Sequence, residues 1–332
     1  MRLRSPLTVV LSVHAVGALL CACVSDIPGA PDGGDGGGDT GVDAQVVSDA
    51  SDAATADAPD APDAGPACDR MKPFGNPMAV TLQNDVNPVV AYSFKVRANG
   101  THVYLQRSGA KLEQGLFANH TITFPGLLDV YTNPFQAGAD VSGDELSMVF
   151  STGGGLLRAA RMALNGPFLS PMPLPITLPP LDASINQMSQ VSLSPGSVAF
   201  SRSENSQGPQ VVDVFEARAN PDGGAYSVTN LSTLHAAGLY VGRSVFLDEN
   251  HLYLTAWGSM GSPYQRIYFA ARPNPMTPWA APTATPIAGF TPKSTDEVVP
   301  LDVSPDDCTL YFGVSNALVD GPYAVYEARR PQ

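Results

Sequence analysis

A degenerate repeat that recurs five times downstream of residue 70 is the feature that most constrains the fold. Each copy has a turn rich in Gly, Asn or Asp, then a strand-like triplet of aliphatic and aromatic residues. The last residues of successive triplets are 45, 50, 54 and 58 positions apart. A recurring period of this kind predicts one supersecondary unit per copy, packed against its neighbours. The triplets are Val103–Leu105, Met148–Phe150, Val198–Phe200, Leu252–Leu254 and Leu310–Phe312.

A second short run follows each triplet and, in four copies, ends in Ala-Arg. All of these runs are rich in β-branched or aromatic residues, are cut by Gly, Pro, Asn and Asp, and show no helical period. The repeat-containing part of the chain is therefore predicted to be all-β. We expect Arg329 and its equivalents to end the third strand of each repeat and to pair with nearby residues. The runs are Leu156–Arg161, Val214–Arg218, Ile267–Arg272 and Val325–Arg329, with a weaker fifth at Leu116–Asn119.

The fifth copy combines Ser304-Pro305-Asp306, Leu310–Phe312 and Ala324–Arg329, and it resembles the WD40-like repeat of the TolB-type propellers. The resemblance covers residues 73–332 and is specific in the last copy, fair in the third and fourth, and weak in the first two. It implies a single β-propeller of five blades, each a four-stranded antiparallel sheet. In the repeat, Pro305 would preset a tight turn, and Asp306 would accept unusual backbone angles or bond locally to the backbone.

Closure of the ring is expected to use an N-terminal strand. Segments 166–172 and 278–283 follow Ala-Arg runs and are predicted to be the outer strands of their blades. No such segment follows Arg329, but residues 76–82 have the same character. We therefore place 76–82 beside 323–329, where they would complete the last blade and remove an exposed edge.

Two cysteines, Cys68 and Cys308, lie in the repeat-containing part of the chain. An oxidising compartment, such as the cell envelope that the N-terminal segment described below predicts, favours their pairing across the closure. The alternative, two unpaired thiols, stays open at the level of sequence because the separation of the two residues is unknown.

The first 22 residues have the pattern of a signal peptide, with Arg2 and Arg4 followed by an apolar run from Leu7 to Leu20. Leu20-Cys21-Ala22-Cys23 resembles the bacterial lipobox, which makes Cys23 the expected lipid attachment site. Cys21 fits badly, and plain cleavage without a lipid is the alternative. Val24 and Ser25 follow, and by resemblance to the enterobacterial sorting rule they favour an outer-membrane lipoprotein that faces the periplasm or the cell surface.

Residues 23–67 contain ten aspartates and no Lys or Arg. Such a segment cannot bury enough apolar surface to offset its ordering entropy, which predicts a disordered tether before a propeller at 68–332. The net charge is −13, of which −10 belongs to the tether and −5 to the propeller, offset by +2 from the signal peptide. A domain at −5 without a basic cluster excludes a nucleic-acid-binding role.

Catalytic and metal-binding motifs are missing from the sequence. The four histidines of the mature domain are isolated, and there is no His-Glu-x-x-His, Gly-x-Ser-x-Gly or phosphate-loop motif, so we expect no metal and no cofactor. Paired carboxylates could make a glycan hydrolase or lyase, which is the alternative function. The carboxylate candidates are Asp144, Glu145, Glu204, Asp248, Glu249 and Asp306, of which the first, fourth and last recur at one turn, as structural residues do.

The function we expect is non-enzymatic binding or scaffolding by a monomer. Hairpins that follow the triplets should meet as a ring on one face of a propeller, and their chemistry suits an envelope protein, a peptide or a glycan. Ordinary polar hairpins are the competing interpretation. The candidate ring residues are Arg107, Arg202, Trp257 and Asn316.

Overall fold

A computed structural model describes residues 68–97, 100–107, 111–125, 129–131, 138–152, 155–177, 187–203, 212–220, 222, 225–231, 233–234, 240–257, 266–315 and 322–332. The predicted signal peptide, tether and lipid site at Cys23 lie outside these residues. The described part of the chain contains no α-helix, in agreement with the all-β prediction.

Five sheets, each with four main antiparallel strands, form a five-bladed β-propeller. The first strand of each sheet is innermost and contacts the first strands of the two neighbouring sheets, so that the fifth blade meets the first. The first blade has β4 (Ser93–Arg97), β5 (His102–Gln106), β6 (Leu112–Ala118) and β7 (Thr121–Thr123); β8 (Asp129–Tyr131) also pairs with β6, and β2 (Thr81–Leu82) runs parallel to β7.

The other four blades follow in chain order. The second has β9 (Asp140–Val141), β10 (Ser147–Ser151), β11 (Leu156–Ala160) and β12 (Met172–Pro173). The third has β13 (Gln187–Ser194), β14 (Ser197–Ser203), β15 (Val212–Arg218) and β16 (Ser227–Asn230). The fourth has β17 (Tyr240–Asp248), β18 (His251–Trp257), β19 (Arg266–Ala271) and β20 (Thr283–Ala284). The fifth has β21 (Glu297–Val303), β22 (Thr309–Ser315), β23 (Tyr323–Arg329) and β1 (Met78–Ala79), and β3 (Val90–Ala91) also pairs with β23.

The hydrophobic core is divided among the five seams between neighbouring blades, with one buried cluster at each. The last residue of every repeated triplet is fully buried, and each of these residues lies in a different cluster. The sequence period thus marks the packing position that joins each blade to the one before it. These residues are Leu105, Phe150, Phe200, Leu254 and Phe312.

Turns between the first and second strands carry the repeated aspartates. Asp144 Oδ1 accepts a hydrogen bond from the Leu146 amide at 3.0 Å, and Asp306 Oδ1 accepts one from the Cys308 amide at 3.0 Å, so both bond locally as predicted. The unusual backbone angle falls on the next residue, with φ of 61° at Glu145 and 60° at Asp307. Left-handed backbone at a side chain of this size is costly, and both carboxylates are held in buried contacts.

The N-terminal strand completes the last blade. Met78 and Ala79 pair with Glu327 and Tyr326 of β23. Residues 81–82 do not continue along β23 as expected, because they pair in parallel with Thr121 and Ile122 of the first blade. The N-terminal segment therefore joins both sides of the closing seam. A disulfide links Cys68 to Cys308 with a Cα–Cα distance of 5.6 Å, as the sequence predicted.

The outer strands β12 and β20 lie at the ends of segments 166–172 and 278–283, which were predicted to contain them. An aromatic residue in each segment packs over an arginine. Phe168 lies over Arg161 at 4.9 Å and Trp279 over Arg272 at 4.2 Å, measured from guanidinium carbon to ring centroid. The N-terminal segment repeats this contact in the fifth blade, where its Phe74 lies over Arg330 at 4.0 Å. Each of these aromatics follows a proline, which identifies the N-terminal segment as the missing outer piece.

The same contacts correct the expected role of the Ala-Arg arginines. Arg329 pairs locally with Glu327, as predicted. Arg161 and Arg272, however, lie one residue beyond their strands and reach across a seam. Their amides bond to Leu146 and Asn250, and the corresponding amide in the fifth blade is that of Arg330, which bonds to Cys308. The equivalent of Arg161 and Arg272 is therefore Arg330 and not Arg329.

Candidate functional site

Three of the four residues predicted to line a binding ring lie at or near the ends of second strands, at the edge of the propeller opposite the first-to-second-strand turns. Arg107 follows β5 directly, Arg202 lies inside β14 and Trp257 ends β18. Asn316 and the Trp257 side chain lie outside the described residues. The structure therefore places two ring side chains, Arg107 and Arg202, on two different blades.

Arg107 is held within its own hairpin. Its Nε and one terminal nitrogen donate to the two carboxylate oxygens of Glu113 at 2.6 and 2.7 Å, and its guanidinium lies 5.2 Å from the ring centroid of Phe124. The hydrogen bond that Arg107 donates to Glu113 raises the pKa of Arg107 above its usual value. With a side chain 35% exposed, Arg107 presents one edge of a fixed, charged group to solvent.

Polar residues that end the second strands are buried between blades. Ser201 donates to the Gly242 carbonyl of the next blade at 3.3 Å. The Gln106 side-chain oxygen is buried with no hydrogen-bond partner. These residues therefore lie at the seams between blades, at the ends of the second strands. A surface for binding would have to be formed by the hairpins that follow them. The buried set comprises Gln106, Ser151, Ser201, Arg202, Thr255 and Ser315.

A second polar contact at this level joins the fourth and fifth blades. The guanidinium of Arg243, from the innermost strand β17, lies 4.6 Å from the ring centroid of Tyr323. Tyr323 donates its hydroxyl hydrogen to Glu297 Oε2 at 3.2 Å. All three side chains are buried, so this group ties blades together and is not open to solvent.

Four charged side chains, of which Arg97 is partly buried and the other three are buried, meet where the innermost strands of the fifth, first and second blades adjoin. We call Lys95, Arg97, Asp140 and Asp302 the central charged cluster. Lys95 Nζ lies 3.4 Å from Asp140 Oδ2 and 4.0 Å from Asp302 Oδ1. Arg97 donates to Asp302 Oδ2 at 3.0 Å and also to Asp140. Two cations and two anions balance the charge, as buried ions require.

The two aspartates also bond to backbone amides of the next blade around the ring. Asp302 accepts from the Val96 amide at 2.6 Å, and Asp140 accepts from the Leu193 amide at 2.8 Å. Ser192 does the same, since its Oγ accepts from the Phe246 amide at 2.9 Å. One position of the innermost strand thus joins three pairs of neighbouring blades, the fifth and first, the second and third, and the third and fourth, by a side-chain-to-backbone bond.

The electrostatics of the cluster follow from burial and charge. Burial raises the pKa of the Asp302 carboxyl above its usual value, although the charges of Arg97 and Lys95 oppose that change. Burial alone would lower the pKa of Arg97, but the charges of Asp302 and Asp140 outweigh it, and the pKa is raised.

Sequence reasoning missed this cluster because its members are far apart along the chain. The available signal was a charged residue between apolar neighbours in a strand, as in Ala139-Asp140-Val141 and Leu301-Asp302-Val303. A charge in that setting is almost never buried without a partner. Such a pattern predicts that an opposite charge lies nearby, but it does not identify the partner.

The carboxylates considered for glycan hydrolysis that the structure describes lie at the first-to-second-strand turns. Asp144 and Asp306 bond within their own turns, and Asp248 Oδ2 lies 2.8 Å from His251 Nδ1. Glu145 is buried beside Tyr104 and His102. Glu249 accepts a hydrogen bond from Arg272 through its backbone carbonyl, and Glu204 lies outside the described residues.

Two seams share one arrangement of a tyrosine, an acid and an arginine, which we call the seam clamp. In the first, Tyr104 contacts Glu145 and Arg161 of the next blade. In the second, Tyr253 donates to Asp307 at 2.6 Å and accepts from Arg330 at 3.0 Å. The members are Tyr104, Glu145 and Arg161 at the seam of the first and second blades, and Tyr253, Asp307 and Arg330 at that of the fourth and fifth.

Three of the histidines pair with carboxylates. His102 Nδ1 lies 2.8 Å from Glu145, His120 Nδ1 lies 2.7 Å from Glu327, and His251 pairs with Asp248, while His235 lies outside the described residues. Over the described ranges, no group of three His, Cys, Asp or Glu side chains could hold a metal ion. The same ranges contain no helix of the length and apolarity needed to cross a membrane.

Comparison with known proteins finds neither a matching family model nor a curated protein. Solved structures with a similar fold include a protein of unknown function from Dyadobacter fermentans, at 10% identity over 76% of this chain and 97% of that one, with a TM-score of 0.42. A catalytic domain of an α-L-arabinofuranosidase from Coprinopsis cinerea is 13% identical over 78% of this chain and 97% of that one, with a TM-score of 0.45. A functionally unknown protein from Desulfotomaculum acetoxidans is 15% identical over 72% and 69%, with a TM-score of 0.35. At these identities and TM-scores, the similarity does not extend to activity.

Proposed function

We propose that this chain is a lipid-anchored envelope protein whose propeller binds or scaffolds another envelope component and catalyses no reaction. The observation that carries the non-enzymatic part is the state of the buried carboxylates. Each of the seven in the described residues has a cation, a hydroxyl, an imidazole or an amide as a bonded partner. They are Asp140, Glu145, Glu216, Glu297, Asp302, Asp307 and Glu327.

A glycan hydrolase needs one carboxyl that protonates the leaving oxygen and a second that faces the sugar or its attacking water. Groups that bind neighbouring blades together are poor candidates for either task, because a substrate would have to displace structural partners. Among the turn carboxylates, Asp144 and Asp306 are likewise occupied by their own turns. This supports a binding role over the hydrolase alternative.

The anchored part of the proposal rests on the sequence, with Cys23 as the lipid site and residues 24–67 as the tether. The binding part rests on the edge of the propeller where Arg107 presents a fixed guanidinium. A rigid arginine loses little side-chain entropy when it meets a carboxylate or a hydroxyl of a partner. We therefore place the binding face on the side of the second-to-third-strand hairpins.

The test uses the full chain produced in a bacterial host, with the envelope isolated and proteins cross-linked before solubilisation. A partner captured by the unaltered chain, and lost on Arg107→Ala but kept on Arg158→Ala, an exposed arginine of β11, supports the proposed face. Incubation of the same protein with plant and bacterial polysaccharides tests the alternative. Release of reducing ends that Glu145→Gln or Glu249→Gln abolishes would overturn the non-enzymatic assignment.

A further inference from the structure

We propose that the Cys68–Cys308 disulfide is a force-transmitting junction, which carries tension applied through the N-terminal tether into the fifth blade. The tension then does not act on the strand that closes the ring. The expected source of that tension is the lipid anchor, so the physiological setting rests on the proposed function.

The position of the disulfide makes it the first fixed point that a pull from the N-terminus meets. The described part of the chain begins at Cys68, and the closing strand β1 begins ten residues later at Met78. The other half of the junction, Cys308, stands immediately before β22, whose residues pair with β21 on one side and with β23 on the other. Force that enters at Cys308 is therefore spread over a central strand of the sheet.

Without the disulfide, the same force would fall on a small set of noncovalent contacts. β1 offers only Met78 and Ala79 to the ladder, supplemented by bonds from the amides of Gly75 and Val80 to β23. Nearer the tether, the Asp69 amide donates to Pro331 at 3.0 Å. Single backbone bonds of this kind contribute little net stability each, and those at the surface compete with water.

Arg330 links the closing segment, residues 68–82, to the contacts between the fourth and fifth blades. Its guanidinium covers the buried ring of Phe74, donates to the Lys72 carbonyl and reaches Tyr253 and Asp307 in the seam clamp. Release of residues 68–82 would uncover Phe74 and open one side of that clamp. A covalent bond placed upstream of this segment protects the contacts that hold the fourth and fifth blades together.

The experiment pulls single molecules of the full chain between a handle at the N-terminus and a bioorthogonal handle at position 222, an exposed turn of the third blade. In the oxidised protein we expect global unfolding with no earlier event. After reduction, or in Cys68→Ser and Cys308→Ser, we expect an earlier low-force step of about 50 Å, the extended length of the freed segment at roughly 3.3–3.6 Å per residue.

The matched control moves the first handle to the C-terminus, so that force no longer passes through Cys68. The low-force step should then be absent from both the oxidised and the reduced protein. An identical step in oxidised and reduced protein pulled from the N-terminus would overturn the proposal, and so would the absence of any step in both. Neither outcome depends on lipidation, so the failure of the anchor and the failure of the junction are distinguishable.

Discussion

The hydroxyl group of Tyr253 in the fourth blade donates a hydrogen bond to Asp307 Oδ1 in the fifth blade over 2.6 Å, and both side chains are buried. Burial and this bond raise the pKa of Tyr253, so the hydroxyl keeps its proton and remains a donor. This hydrogen bond from a buried hydroxyl to a carboxylate joins the fourth blade to the fifth.

Replacement of Tyr253 by Phe should therefore destabilise the propeller by about 1.5–3 kcal/mol, the range for hydrogen bonds to charged groups, because Asp307 loses a donor that water cannot replace. Tyr268→Phe, at a half-buried position of β19, is the matched control and should cost less than about 0.5 kcal/mol. Urea denaturation of the two variants gives the comparison. Equal midpoints would show that the bond contributes nothing.

Lys95→Met should cost about 3–5 kcal/mol, because it leaves Asp140 and Asp302 buried with Arg97 as the remaining cation. The control is Lys72→Met, whose exposed pair with Asp69 spans 3.6 Å and should be worth less than about 1 kcal/mol. Denaturant midpoints at one pH measure both. If the two variants unfold together, the central charged cluster is not a determinant of stability.

Glu216→Gln should make the free energy of unfolding fall less steeply as the pH is lowered. Burial would raise the pKa of Glu216, but hydrogen bonds from Arg272 and Arg218 and their charges lower it from 4.5. A lowered pKa in the folded state stabilises the protein fully above the ordinary value of 4.5, and this contribution is lost as the pH falls through the folded-state value. The variant should be less stable at pH 7, with the difference from wild type shrinking below pH about 4.5.

Unfolding free energies at several pH values between 7 and 3 test this expectation, with Asp222→Asn as an exposed control that should follow the wild type. A gap between wild type and Glu216→Gln that stays constant down to pH 3 would contradict it.

Loss of the disulfide in Cys68→Ser should lower the free energy of unfolding by about 5.5 kcal/mol in the chain-entropy account, since the closed loop has a sequence separation of 240 residues. For a domain of this size, that corresponds to a fall in melting temperature of roughly 10 °C. Calorimetry with and without a reductant is the measurement. The unaltered protein should fall to the level of the variant when reduced, and the variant should not respond.

Cys23→Ser should abolish incorporation of labelled fatty acid and release soluble protein, whereas Cys21→Ser should change neither result. Metabolic labelling followed by membrane fractionation distinguishes the two substitutions. Firm retention requires more than one acyl chain, because one alone binds membranes only marginally. Labelling that survives in Cys23→Ser would remove the assignment of the anchor to that residue.

The fold could be predicted from sequence because the repeat marks one packing position five times. Leu105 and Phe312, at the two ends of the series, are both fully buried and occupy the same place in their blades. The choice between Arg329 and Arg330 could not be made in this way. Arg329 and Arg330 are consecutive and both come after the repeated alanine. Arg330 is the residue that reaches across the seam because it contacts Phe74 and Tyr253, which come from distant parts of the chain.

The candidate site was less predictable for a related reason. Ring residues were chosen by their place after the triplets, and this rule does not distinguish the buried Arg202 from the partly exposed Arg107. Burial there depends on the twist and spacing of neighbouring blades, which no local pattern encodes. The central charged cluster went unseen because its charges come from three blades and meet only in three dimensions.

The five seams also differ from one another in chemistry, and this difference fixes the order of the blades. The seam clamp occurs at two seams, and Glu216 pairs with Arg272 at a third. The closing seam combines the ring contact of Phe117 with Tyr311 and the bonds of Asp302 to the first blade. The remaining seam packs aliphatic and aromatic side chains around Val149 and Val191 and adds the bond from the Leu193 amide to Asp140. A blade moved to another place would therefore bury a charge without its partner or set a charge against a ring. The five repeats are in this way not interchangeable, and the chain specifies one cyclic order and one number of blades.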